Sequence, residues 1–131
     1  MSQTRDTLVG NPSSTIRLLQ AGTALSLLVV LSQFVTAGLM MSKIAARDAH
    51  AVGTIVLHVT TGLVVVATVL YARRSGVRWP AALAGVVFLL TFVQAFMGSA
   101  GNLAVHVPLA LGIATGAVWL TAWAFRSADL L

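Results

Sequence analysis

Two of the chain's three histidines, His58 and His106, stand inside long apolar runs that contain no acidic residue and no lysine. Each follows a glutamine embedded in the preceding run. Gln33 and Gly38 lead to His50 and His58, and Gln94 and Gly98 lead to His106, so one pattern of glutamine, glycine and histidine occurs twice. An imidazole in hydrocarbon is costly unless something binds it, and polar groups at membrane depth are functional suspects by default. Imidazole is also the side chain most used to ligate a metal or a haem iron. Ligation is therefore the chemistry that His58 and His106 suggest. His50 follows Arg47 and Asp48 at the end of its run, where an interfacial histidine without a ligand is as good a reading as a third ligand. Gln33 and Gln94 read as contacts to the same site or as hydrogen-bond partners between helices. Met40 and Met41 read as core or lipid contacts rather than as soft-metal ligands.

The elements that must position these residues follow from composition. Apolar residues make up 58% of the chain and charged residues 8%, too little polar surface for an aqueous globule of this length. A span needs roughly 20 apolar residues to cross about 30 Å of hydrocarbon. Residues 16–41, 49–72, 79–98 and 103–125 qualify. They lack the alternation of strands and are too long for them. The expected fold is all-α, a four-helix transmembrane bundle in a single domain over residues 1–131. The first apolar stretch is about twice the length of a signal-peptide core, which favours an uncleaved anchor. The polar segment before it ends in a helix start at Ser14 or Thr15. Without cysteine there is no disulfide, no thiol redox chemistry and no covalently attached c-type haem.

Basic residues set the expected orientation. Arg5, Arg17, Arg73, Arg74, Arg78 and Arg126 fall on one side of the spans, and only Lys43 and Arg47 on the other. The positive-inside rule then makes this a multi-pass protein of the plasma membrane with both termini cytoplasmic. Trp79, Trp119 and Trp123 fall toward that same edge, as an aromatic belt would. The net charge of +5 becomes a topology signal and a grip on anionic lipid. Eight basic residues spread over separate segments make no nucleic-acid stripe.

With this orientation, helices one and two form a hairpin, and helices three and four repeat it about an axis along the membrane normal. The turn 98–102 is too short for anything but adjacent antiparallel helices. Gln33, His50, Gln94 and His106 then gather in the outer half of the bundle. On the second helix, Gly53, Thr54, His58, Thr61 and Gly62 share one broad face of small or polar groups. Such a face packs closely against other helices or leaves room for a flat ligand. Gly53, Thr61 and Gly62 are accordingly candidate cofactor contacts.

The run from Gln94 through Gly98, followed by His106 and Pro108, resembles the passage between paired helices in haem A synthases. There a glutamine and a glycine near the end of one span precede a haem-ligating histidine near the start of the next. His58 and Gly62 resemble the H-x-x-x-G of that family's other ligand helix, with Val59 where an arginine is usual. The whole chain is also similar to small four-span membrane proteins that repeat a Q…G…H-x-x-G hairpin, in which the spacing from Gly38 points to His50 and Gly53. The resemblance implies one haem b bound by two histidines. The chain corresponds to one half of a haem A synthase, and it lacks that family's cysteines and the acidic residue close to its first ligand histidine. A single-haem relative is expected rather than the synthase activity itself.

The leading reading is an integral membrane, b-type haem-binding protein with bis-histidine iron, serving electron transfer or haem handling; whether it is an enzyme is left open. A quinone or a redox protein as partner, and a homo-oligomer, are compatible with it. The alternative is a haem-free accessory or structural subunit whose buried His and Gln side chains hydrogen-bond between helices. A transporter fits least, because no carboxylate lies in any span. Between His50 and His58 as the partner of His106, the H-x-x-x-G spacing and greater depth of His58 favour it narrowly. His50 is then an entrance or propionate contact near Lys43 and Arg47.

Overall fold

The computed structural model describes residues 12–127; the segment before it, with Arg5, lies outside the described residues. Four helices follow in order: α1 (Pro12–Met41), α2 (Arg47–Ser75), α3 (Trp79–Ser99) and α4 (Leu103–Arg126). All four are long and apolar enough to cross a membrane. The chain is thus an all-α four-helix bundle, with no strand among the described residues.

The helices extend beyond their apolar runs because their ends are well terminated. α1 begins at Pro12 rather than at Ser14 or Thr15. Proline is tolerated in a first turn, where its missing N–H would have no helical partner anyway. α2 takes Asp48 into its first turn and Arg73 and Arg74 into its last, charges that complement the helix dipole at each end. It stops at Gly76, whose left-handed backbone (φ 77°) lets its N–H bond to the Ala72 carbonyl. Asn102 caps α4 by accepting the Val105 N–H at 3.3 Å.

Each helix packs against its neighbours in sequence, and α4 closes on α1. α1 therefore lies diagonally opposite α3, and α2 opposite α4. Hydrophobicity does not choose which face turns inward, since lipid tails are as apolar as leucine. Size and hydroxyl groups choose it instead. Thr23, Ser26, Thr60, Thr61, Thr68, Thr91, Ala84, Ala117 and Ala124 are buried, while Leu28, Leu63, Leu89 and Phe96 point outward. The buried threonines satisfy their hydroxyls on their own helices, as Thr61 does on Leu57 at 2.7 Å and Thr68 on Val64 at 2.8 Å. Two bonds fasten α1 to α4: Thr121 donates to the Thr23 carbonyl (3.2 Å) and Gln20 to the Ala124 carbonyl (3.4 Å).

The packing is uneven along the bundle axis. Val30, Leu57, Val87 and Ile113, one from each helix, form with Ala117 an apolar layer at mid-height. Below it, toward the α2–α3 loop, the interior is filled, and Thr23, Ser26, Thr61 and their neighbours enclose only about 10 Å³, about enough for one water. Above it, toward the α1–α2 and α3–α4 turns, the buried residues among those described are Thr91, one turn above Val87, and Ala46. All the polar residues singled out above the layer are only half-buried. The layer is a floor, and the hairpin end above it has fewer buried residues than the half below.

The α3–α4 crossing below the floor rests on Gly116, where a Cβ would come to 2.5 Å from the Val87 side chain, whereas one at Gly112 would meet nothing within 4 Å. Gly116→Ala is expected to destabilise the bundle by about 1–3 kcal/mol, the usual range for overpacking, and Gly112→Ala to leave it unchanged. Unfolding in detergent measures both; equal midpoints for the two variants would contradict this packing.

Candidate functional site

The hairpin end above the floor is lined by the residues that the sequence pattern singled out. His106 on α4 donates its Nδ1–H to the Gln94 carbonyl of α3 at 2.9 Å. The ring can reach that carbonyl because Gly98 leaves space for it: a Cβ there would lie 2.7 Å from His106 Cε1. In the first hairpin the His50 ring of α2 is met instead by a hydroxyl of α1. His50 Nδ1 sits 2.8 Å from Thr36 Oγ1. Thr36 has the Ser32 and Gln33 carbonyls in reach for its own proton, both at 3.1 Å, so its oxygen is left to accept from His50.

The two hairpins are matched in height. His50 precedes the floor residue Leu57 by seven positions, and His106 precedes Ile113 by the same seven. At 1.5 Å per residue this puts both rings about 10 Å above the floor, on diagonally opposite helices. His58 follows Leu57 directly and so lies at floor height. It packs against Phe92 of α3, with ring centroids 4.1 Å apart. Of the two α2 histidines, the fold thus brings His50, not His58, to the level of His106. The H-x-x-x-G spacing favoured His58, but its glycine serves another contact: Gly62 packs on Phe88, 3.3 Å from where a Cβ would stand. Thr61 likewise lies below the floor, bonded to Leu57. Neither joins the histidines.

The glutamines do join them. Thr54 donates to Gln33 Oε1 at 3.2 Å, and the Gln33 amide nitrogen lies directly over Gly53, in the space a Cβ would take. Gln33 Nε2, Gln94 Oε1 and His58 Nε2 are buried without a hydrogen-bond partner. His58 donates its Nδ1–H to the Thr54 carbonyl at 2.6 Å. A carbonyl can only accept, so both His58 and His106 carry a proton on Nδ1, and in the neutral ring the lone pair is then on Nε2. That is the tautomer a metal-bound histidine needs, oriented by a carbonyl behind it.

Thr36 and Phe92 were not foreseen from the sequence. Thr36 could have been found, because it lies one turn from Gln33 and shares its face. Phe92 gives no such signal among the many exposed apolar residues of α3. Among the described residues, no three His, Cys, Asp or Glu side chains gather as a metal-holding group. An iron already held by a porphyrin needs only its axial positions from protein. The donors present, imidazoles on the opposite helices α2 and α4, are of the kind that requirement asks for. No family model, curated protein or solved structure matches the chain.

The tautomers can be read by ¹⁵N NMR of histidine-labelled protein purified without ligand. His58 and His106 are expected as Nδ1-protonated rings. Gly98→Ala should perturb His106 and leave His58 unchanged. Nε2-protonated rings at both positions in the parent protein would contradict the hydrogen bonding described.

Proposed function

We propose that the chain is an integral membrane b-type haem-binding protein, holding one haem b at the hairpin end between His50 and His106. The observation that carries this reading is the pair of outer imidazoles at matched height, one per hairpin, His106 backed by the Gln94 carbonyl and His50 by Thr36. Haem bound there supplies one-electron redox chemistry. With an imidazole on each face, no axial position is left for a small ligand, which favours electron transfer or haem carriage over catalysis on a bound substrate. The Gln94 carbonyl orients His106, while Thr36 orients His50. Thr54 holds the Gln33 side chain against Gly53. His58 adds a buried acceptor below the pair, and the Gln33 and Gln94 amides offer further unpaired polar atoms around it. The floor keeps water from passing down the axis.

The distribution of basic residues, six against two, supports a plasma-membrane location with both termini and the α2–α3 loop on the cytoplasmic side. The hairpin end would then face outward, where a redox protein or a quinone at the membrane edge could exchange electrons with it. One observation favours a haem-free structural role instead. Gln33 over Gly53 and His106 over Gly98 already act as polar clasps within each hairpin, and clasps alone could be their purpose.

Absorption spectra of detergent-purified protein, with a pyridine haemochrome assay, separate the two readings. The haem reading expects a low-spin, six-coordinate spectrum. His50→Ala and His106→Ala should each convert it to five-coordinate or lose the haem, and His58→Ala should remain six-coordinate. A colourless protein that stays colourless after haem is supplied supports the structural role. Conversion by His58→Ala alone would return the ligand to His58.

A further inference from the structure

The opposite end of the bundle carries a second feature that the histidine site does not use. Val69, Ala72, Arg73, Gly76, Arg78 and Ala81 line an open crevice of about 400 Å³ where α2 passes into α3. Its apolar side is Val69 and Ala72 from α2 and Ala81 from α3, and its polar side is two guanidiniums. Arg73 and Arg78 are exposed, and Asp48, the one acidic residue among those described, belongs to the far end of α2. Among the described residues, neither guanidinium has a carboxylate to pair with. Arg74, between them in the chain, turns the other way and donates to Thr15 Oγ1 of α1 at 2.5 Å.

The depth of this crevice in the bilayer is fixed by aromatic side chains. Tyr71 and Trp79 both pack edge-on against Trp123, with ring centroids 5.1 and 5.3 Å apart. Amphipathic rings of this kind settle at the headgroup level of a membrane. Arg73 lies just beyond Tyr71 along α2, and Arg78 immediately precedes Trp79. Both guanidiniums thus stand at the height of lipid phosphates, above an apolar slot that continues between two helices toward the hydrocarbon. Gly76 contributes no side chain to block the slot, since its missing Cβ faces open space.

We propose that this crevice is a binding site for one anionic glycerophospholipid, with its phosphodiester between Arg73 and Arg78 and an acyl chain along Val69, Ala72 and Ala81. Paired guanidiniums recognise phosphate oxygens through fork-shaped donor sets. A basic pocket between membrane helices at the headgroup level is the setting in which such lipids are selected over zwitterionic ones. The site is independent of the haem reading, because it lies at the other end of the bundle and shares no residue with it.

Native mass spectrometry of the full chain, released from micelles containing phosphatidylglycerol or phosphatidylcholine, tests the proposal. The parent protein should retain one phosphatidylglycerol in preference to phosphatidylcholine, and excess inorganic phosphate should not displace it. Arg73→Gln with Arg78→Gln should weaken retention roughly thirtyfold, from the usual contribution of a basic side chain near an anionic lipid surface. Ala81→Trp, which fills the slot and keeps both charges, should also remove the lipid. Arg126→Gln, at the same end but outside the crevice, should change little. Undiminished retention by the double variant or by Ala81→Trp would overturn the proposal. So would equal loss in Arg126→Gln, which would mean diffuse charge, or displacement by inorganic phosphate, which would mean a free-anion site.

Discussion

Everything proposed for the hairpin end depends on a histidine on one helix bonding to a glutamine carbonyl on the helix before it. A helical carbonyl has a second lone pair after its own helix's N–H is served, and His106 takes the one on Gln94. In hydrocarbon that bond does two things at once. It satisfies a donor that would otherwise be costly to bury, and it fixes the imidazole with its acceptor nitrogen turned away from the bond. In the first hairpin Thr36 of α1 meets His50 Nδ1 at 2.8 Å. Gly98 is required because the ring must approach the helix closely to reach the carbonyl, and any side chain there would push it away.

The second constraint is the floor. Below it, small and hydroxyl residues let four helices approach closely, and the buried threonines are satisfied by carbonyls of their own helices. Above it the same four helices hold amides and imidazoles instead of a packed core. A membrane bundle gains no hydrophobic energy from bringing helices together, so its stability has to come from the tightly fitted lower half. That frees the upper half to carry polar groups with unpaired atoms. The bundle thus assigns packing to one end of its axis and chemistry to the other.

Much of this was legible in the sequence. The four apolar runs give the helices to within a few residues, and the glutamines with His50 and His106 lie toward the same end of the bundle. Two things were not legible. Apolar residues surround each helix, so no periodic stripe announces the inward face, and the floor residues Val30 and Ile113 look like any lipid-facing neighbour. Nor does the sequence decide between His50 and His58: counting along the runs sets His50 nearer the height of His106, while the H-x-x-x-G spacing and greater depth favour His58. In the structure His50 and His106 each stand seven residues before a layer residue, Leu57 and Ile113, and Gly62 packs against Phe88.

The central claim is that the two outer histidines form one saturable site for haem. Titration of ligand-free, detergent-purified protein with haemin, followed at the Soret band, tests it most directly. The account predicts saturation at one haem per chain with a low-spin spectrum, and loss of that saturable phase in the His50→Ala, His106→Ala double variant. Binding by the double variant with the same stoichiometry and spectrum as the parent would contradict it.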